Sequence, residues 1–119
     1  MFSRKTKLRE NASAYLEPGE EVCESVLVRV GTLQQQNHAL IATDRNLYAF
    51  RLGWPGFSSI AEVLMKIPLE RAEIQVLPRR VVVKDRERET GRTWQRLNFR
   101  DPTPLAEYVG SRSPVSTAR

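Results

Sequence analysis

Short blocks in which apolar and polar side chains alternate run through the middle of the chain, and such alternation is typical of β-strands. We interpret seven blocks as strands, at 21–30, 39–42, 47–52, 60–67, 72–77, 79–86 and 92–100. Apolar residues recur at helical spacing over 4–16, and Asp101-Pro102 is a helix start signal. The pattern predicts a short N-terminal amphipathic helix, seven strands and a C-terminal helix over 102–110.

The block at 60–67 fits both a strand and a helix, because Ala61-Glu62-Val63-Leu64-Met65 has high helix propensity. We interpret it as a strand, since Pro68 follows at once and every neighbouring block is a strand. The side chains that we expect in the core are Ile41, Leu47, Tyr48, Ile67, Ile74, Val81, Val83, Leu97, Phe99, Leu105 and Val109.

Three short motifs punctuate these blocks: Pro18-Gly19-Glu20, Thr43-Asp44-Arg45-Asn46-Leu47-Tyr48 and Ile67-Pro68-Leu69. In this order, the motifs and strands resemble the bacterial pleckstrin-homology-like (PH-like, GRAM-like) domains over residues 15–110. The resemblance implies a mainly β fold, a PH-like barrel of two bent antiparallel sheets with the C-terminal helix in one open corner. It also implies a non-catalytic module that binds lipids, membranes or protein partners, or assembles with itself.

The chain has 119 residues, which is the size of one domain. We divide it into an N-terminal amphipathic helix (1–17), the PH-like domain (18–110) and a disordered tail (111–119). No apolar run approaches the roughly 20 residues of a transmembrane helix, and no apolar segment of a signal peptide follows the basic start. The expected location is the cytoplasm, with a peripheral position at the inner face of the membrane as an alternative.

Residues that carry catalytic or metal chemistry are scarce. Cys23 is the one cysteine, which excludes an intramolecular disulfide and a Cys-based zinc site. His38 is the one histidine, and the chain contains no Ser-His-Asp set and no phosphate-binding glycine loop. We therefore expect no enzyme activity, catalytic residue, metal or cofactor.

The positive charge is concentrated in one predicted hairpin. The formal net charge is +5. Residues 1–78 contain nine cations and nine anions, and residues 101–119 contain two of each. The segment 79–100 holds eight Lys and Arg residues against three acidic ones, so the whole net charge lies there.

The turn of this hairpin decides where the charge points. Glu89-Thr90-Gly91 predicts a three-residue loop with Gly91 in the left-handed region, because a two-residue loop needs a positive φ at the β-branched Thr90. The resulting register pairs Lys84 with Arg96 and Arg86 with Trp94. It places seven basic residues on the outer face around Trp94, namely Arg80, Lys84, Arg86, Arg88, Arg92, Arg96 and Arg100.

This outer face has two interpretations. It is a binding surface for an anionic partner, which would be a lipid head group, a nucleic acid or an acidic protein. Alternatively it is a solvated face that Glu87 and Glu89 neutralise, with Arg side chains stacked on Trp94. A nucleic-acid interface of this kind would use the Arg/Trp sheet face.

Three further features bear on partners. The loop Gly31–Asn37 lacks cations, which argues against the inositol-phosphate recognition usual in PH domains. Trp54 and Phe57 lie on a Pro/Gly-rich loop, where they would either contact a membrane or fold back to cap the barrel. The basic residues of 4–9 are a second membrane anchor or a solvated helix face. A homo-oligomer would form if a strand such as 47–52 were left as an uncovered edge.

Overall fold

The computed structural model describes residues 4–31, 36–53, 59–88, 90–97 and 100–112, with the side chains of 4–7 and 90 left aside. Helix α1 spans Arg4–Ser13 and helix α2 spans Thr103–Arg112. The strands are β1 (Val22–Val30), β2 (Gln36–Thr43), β3 (Asn46–Leu52), β4 (Ile60–Pro68), β5 (Ala72–Val76), β6 (Arg80–Asp85) and β7 (Thr90–Arg96).

The seven strands form one antiparallel sheet in the order β4-β3-β2-β1-β7-β6-β5. The predicted mainly β fold with a C-terminal helix is confirmed, and 60–67 is a strand. The two predicted sheets are continuous, because β1 pairs with β2 along its length and with β7 at Val28 and Arg29. The segment 47–52 is not an uncovered edge, since β3 lies between β2 and β4, so the condition stated for pairing between subunits is not met at this strand.

The two edges of the sheet are β4 and β5, and they differ in construction. Strand β4 carries two irregularities in its pairing with β3, one beside Ala49/Phe50 and one beside Arg51/Leu52. Such bulges kink a strand and increase its twist. Strand β5 has five residues and contacts α2.

Helices cover both faces of the sheet. On one face, Leu8 and Ala12 of α1 pack against a cluster that includes Ile41 and Phe50. On the opposite face, α2 closes a larger cluster around Leu40. The predicted core residues Ile41, Leu47, Tyr48, Ile67, Val81, Val83, Leu105 and Val109 are buried. Ile74 and Leu97 are half-buried, and Phe99 lies outside the described residues.

The register of the β6–β7 hairpin differs from the prediction. Asp85 lies opposite Thr90, and Val81 lies opposite Trp94, so the connection is the four residues 86–89. Gly91 is inside β7, and the described glycines with positive φ are Gly19 and Gly31. The predicted pairing of Lys84 with Arg96 and of Arg86 with Trp94 is therefore wrong.

Burial of one large side chain explains this register. Trp94 lies on the core side of β7 and is 2% exposed, whereas the predicted register placed it outside. A shift by an odd number of residues moves every side chain of a strand to the other face. Removing an indole from water stabilises the fold more than the preferred turn geometry at Thr90-Gly91 does.

The first two sequence motifs meet at one buried carboxylate. Glu20 is 8% exposed and accepts hydrogen bonds from the hydroxyls of Thr43 and Tyr48 (2.6 Å for Tyr48) and from the Asn46 amide (2.9 Å). The backbone N–H of Glu17 donates a further bond to it at 2.8 Å. Burial acts to raise the pKa of the Glu20 carboxyl, but the hydrogen bonds from Thr43, Tyr48 and Asn46 outweigh it and hold that pKa below its usual range.

Backbone contacts of Arg45 connect the motifs further. Its guanidinium donates to the Pro18 carbonyl at 3.1 Å, and its own carbonyl accepts from the Leu69 N–H at 3.0 Å. Gly19, which lies between Pro18 and Glu20, has a φ of +82°, and this backbone conformation is strained for residues with a Cβ. The three motifs are thus parts of one structural unit.

Candidate functional site

Most basic residues of the segment 79–100 form no ion pair with a described acidic residue. The ion pairs of the described residues involve Arg45, Arg51, Lys66 and Arg71. Within the segment 79–100, the exposed basic residues that form no ion pair with a described acidic residue are Arg79, Arg80, Lys84, Arg88, Arg92 and Arg100. In the interpretation as a solvated face, Glu87 and Glu89 neutralise this region; the Glu87 carboxylate lies 3.7 Å from Arg71, and Glu89 is outside the described residues.

A cleft of about 1080 Å³ collects five arginines, and we call it the arginine cleft. Its lining residues are Arg29, Pro78, Arg79, Arg80, Gln95, Arg96, Leu97, Arg100 and Asp101. Five arginine residues therefore line this cleft with one acidic residue among the described residues. An anion within it would meet an excess of positive charge, and arginine binds carboxylates and phosphates through two parallel N–H donors.

Strand pairing brings two arginines of the cleft to either side of one glutamine. Gln95 of β7 lies opposite Arg29 of β1 on one side and opposite Arg80 of β6 on the other. The three side chains belong to the face of the sheet opposite to Trp94, because neighbouring residues of a strand point to opposite faces. Arg29 and Arg80 therefore flank Gln95 on this face, where Arg80 is exposed and the other two side chains are half-buried.

The turn between β5 and β6 is fixed by hydrogen bonds to the end of β7. The Arg96 backbone N–H donates to the Arg79 carbonyl at 3.0 Å, and its guanidinium donates to the Leu77 carbonyl at 3.0 Å. The Leu77 N–H donates to the Arg80 carbonyl at 2.8 Å. Arg79 and Arg80 thus project from a rigid backbone.

Asp101 supplies the carboxylate of the arginine cleft and also begins α2. Its Oδ1 accepts a hydrogen bond from the Thr103 backbone N–H at 2.9 Å. This bond holds the pKa of the Asp101 carboxyl below its usual range, so the group is ionised at neutral pH. Asp101 therefore stabilises the helix while it offsets part of the positive charge.

The structure divides the predicted site residues among several places. Arg80, Arg96 and Arg100 line the arginine cleft. Arg88 and Arg92 lie in a different cleft, beside β4. Among the contributors to the arginine cleft, Arg29 and Arg79 were not predicted. Arg79 adjoins Arg80 in the sequence, whereas Arg29 joins only through the pairing of β1 with β7.

The other predicted residues lie outside both clefts. Lys84 is exposed opposite Glu73 and Gly91. Arg86 is half-buried, and its guanidinium donates a hydrogen bond to the carbonyl of Glu70, just before β5. The prediction of one continuous cationic face centred on Trp94 is therefore wrong.

Trp94 serves the interior of the fold. Its indole N–H donates to Nδ1 of His38 at 2.8 Å, and both side chains are buried. Burial lowers the pKa of the His38 imidazole, and the positive charges of Arg51 and Arg92 lower it further, so His38 is neutral. The indole is therefore not a surface platform for stacking a base or an arginine.

Some predicted contacts fall where the structure gives no description. Trp54 and Phe57 lie outside the described residues, and both interpretations of that loop stay predictions. Within the described residues, no group of three His, Cys, Asp or Glu side chains is arranged to hold a metal ion.

The two described helices are too short and too polar to cross a membrane.

Comparisons with known proteins identify the fold. No protein-family model matches the chain, and no curated protein matches it significantly. Among solved structures, the chain is similar to the crystal structure of a pleckstrin homology domain from Shewanella amazonensis SB2B, with a TM-score of 0.56 and 13% sequence identity. The match covers 90% of this chain and 96% of that one. The chain therefore has a pleckstrin-homology-like fold, as the three motifs and the order of the strands predicted.

Proposed function

We propose that this domain is a non-catalytic binding module that captures the head groups of acidic phospholipids in the arginine cleft. The observation that carries the proposal is the gathering of five arginines from β1, the β5–β6 turn, the start of β6, the end of β7 and the segment before α2 around one acidic residue. Such a site attracts phosphate groups, and each basic residue near an anionic membrane contributes about 1 kcal/mol of binding free energy. The domain would then be a peripheral protein at the inner face of the membrane.

The buried position of Trp94 favours a lipid over a nucleic acid. Proteins that bind single-stranded nucleic acids combine basic grooves with exposed aromatic rings on which bases stack. None of the described residues that line the arginine cleft is aromatic. A compact group of guanidinium donors is better suited to a phosphate head group.

Reversing two charges of the arginine cleft is expected to abolish most vesicle binding. We expect the wild-type domain to co-sediment with phosphatidylcholine vesicles only when they contain phosphatidylglycerol. The double variant Arg79→Glu/Arg80→Glu should bind about 30-fold more weakly or worse, because two attractive charges become repulsive. Both side chains are exposed, so the fold should be retained.

The matched control for this experiment is Arg88→Glu/Arg92→Glu, which changes the net charge by the same amount at a different cleft. We expect this variant to keep most of the vesicle affinity. Equal losses in the two variants would mean that net charge alone drives binding and would contradict the proposal. A mobility shift of single- or double-stranded DNA without vesicle binding would assign the arginine cleft to nucleic acid instead. Binding to neither would leave an acidic protein as the partner.

Removing the carboxylate of the arginine cleft is expected to strengthen binding. Asp101→Asn deletes one negative charge, and asparagine caps a helix about as well as aspartate. Affinity for phosphatidylglycerol vesicles should rise about fivefold, which corresponds to about 1 kcal/mol per charge. The control Glu107→Gln removes an exposed charge further along α2. An unchanged affinity in Asp101→Asn, with an unchanged unfolding midpoint, would place the bound anion away from Asp101.

A further inference from the structure

A second cleft, of about 310 Å³, lies between β4 and the β6–β7 hairpin, and we call it the seam cleft. Its lining includes Leu64 and Met65 of β4 and Val83 and Arg92 of the hairpin. Because β4 is an edge of the sheet, no described strand pairs with it on this side. The seam cleft therefore lies along an edge of the sheet.

The floor of the seam cleft is apolar. Val83 and Ile67 are buried members of the large core cluster, and they also line the cleft. Leu64 and Met65 are half-buried and pack against the same cluster. Methionine and leucine side chains adapt to flexible apolar ligands. Leu64 and Met65 therefore offer the accessible apolar surface of the cleft, and the buried Ile67 and Val83 lie beneath them.

Two arginines lie at the rim of the seam cleft. Arg88 and Arg92 line the seam cleft, are exposed, and form no ion pair with a described acidic residue. Lys66 also lines the cleft, but its ammonium lies 2.7 Å from a Glu17 carboxylate oxygen. The two arginines are therefore the available partners for an anionic head group.

The carboxylate already present favours a monoanionic over a dianionic head group. The Asp85 carboxylate lines the seam cleft and binds Arg71 at 3.0 Å. Burial acts to raise the pKa of Asp85, but the hydrogen bond from Arg71 outweighs it and lowers that pKa, so the group is ionised. Asp85 would repel a phosphate dianion more strongly than a carboxylate.

We propose that the seam cleft binds a fatty acid, with the alkyl chain on the apolar floor and the carboxylate held by Arg88 and Arg92. A volume of about 310 Å³ is at the small end of ligand pockets and suits one alkyl chain better than a two-chain lipid. The guanidinium group matches the carboxylate with two parallel hydrogen bonds. This site is separate from the arginine cleft and does not depend on its proposed function.

Calorimetric titration of the full chain with sodium dodecanoate below its micelle concentration tests the proposal. We expect saturable binding of one dodecanoate per chain. Arg88→Glu/Arg92→Glu should weaken it about 30-fold or more, because the carboxylate loses both partners. Hexanoate should bind more than about 100-fold more weakly than dodecanoate, since six methylene groups no longer reach the apolar floor. Arg79→Glu/Arg80→Glu, with the same change in net charge, should keep the wild-type affinity.

A second measurement locates the ligand independently of any variant. The methyl resonances of Met65 and Val83 should shift with dodecanoate in an NMR titration and stay in place with pyrophosphate. Equal dodecanoate binding in the two double variants, or the absence of saturable binding, would overturn the proposal. So would methyl shifts that appear only at other residues. Loss of vesicle binding in Arg79→Glu/Arg80→Glu with dodecanoate binding intact would support both sites separately.

Discussion

Replacing Glu20 with alanine is expected to lower the free energy of unfolding by about 3–5 kcal/mol. The substitution leaves the hydroxyls of Thr43 and Tyr48, the Asn46 amide and the Glu17 N–H without their acceptor. A buried donor that loses its partner costs about 1–3 kcal/mol, and water entering the space relieves part of that cost.

Urea denaturation at pH 7 measures this effect, and Glu21→Ala is the matched control. Glu21 is the next residue and is exposed, so its loss should change stability by less than about 0.5 kcal/mol. Equal stability of the two variants would mean that the buried carboxylate does not hold the motifs together.

The lowered pKa of Glu20 also predicts a dependence on pH. A carboxyl whose pKa is lower in the folded than in the unfolded protein contributes stability above its unfolded pKa. That contribution is lost as the pH falls below the ordinary value of 4.5 and through the folded pKa. We expect the wild-type free energy of unfolding to decline over this acidic range, and Glu20→Gln to decline less. Parallel profiles would show that other carboxyls cause the decline.

Replacing Trp94 with alanine is expected to cost about 3–5 kcal/mol of stability, because it opens a cavity in the core. The indole is 2% exposed and packs in the cluster that α2 closes. Thermal and urea unfolding measure the effect. The control Thr93→Ala alters the exposed neighbour on the other face of β7 and should change stability by less than about 0.5 kcal/mol.

A second variant separates the contribution of the packed aromatic ring from that of its hydrogen bond to His38. Trp94→Phe keeps an aromatic side chain but leaves His38 Nδ1 without a donor, so we expect a smaller loss of about 1–3 kcal/mol. A Trp94→Ala protein as stable as Thr93→Ala would instead place the indole on the surface and restore the predicted cationic face.

The elements that the sequence predicted correctly rest on local signals. Asp44 and Arg45 form a short turn between two apolar blocks, and Pro68 marks the end of β4. The predicted register of the hairpin is wrong because the burial of Trp94 outweighs the local turn preference of Thr90-Gly91. Turn residues alone do not reveal this burial, since it depends on the strands that surround the hairpin.

The arginine cleft was predictable only in part for a similar reason. Arg80, Arg96 and Arg100 belong to the basic segment, and charge counting found them. Arg29 lies in β1, in a part of the chain whose charges cancel, and it enters the cleft because β1 pairs with β7. Pairing between strands that are distant in sequence is not encoded in the composition of either strand. The sequence therefore predicted the positive charge of the surface but not the positions of the arginines on it.

The construction of the two sheet edges limits how this domain can recognise other molecules. An added strand needs a long, regular edge, whereas β4 is kinked twice and β5 is five residues long and contacts α2. Recognition must then use side chains of the clefts, with little contribution from main-chain hydrogen bonds. Ligand preference in such a domain changes when a few surface residues change, while the backbone stays the same.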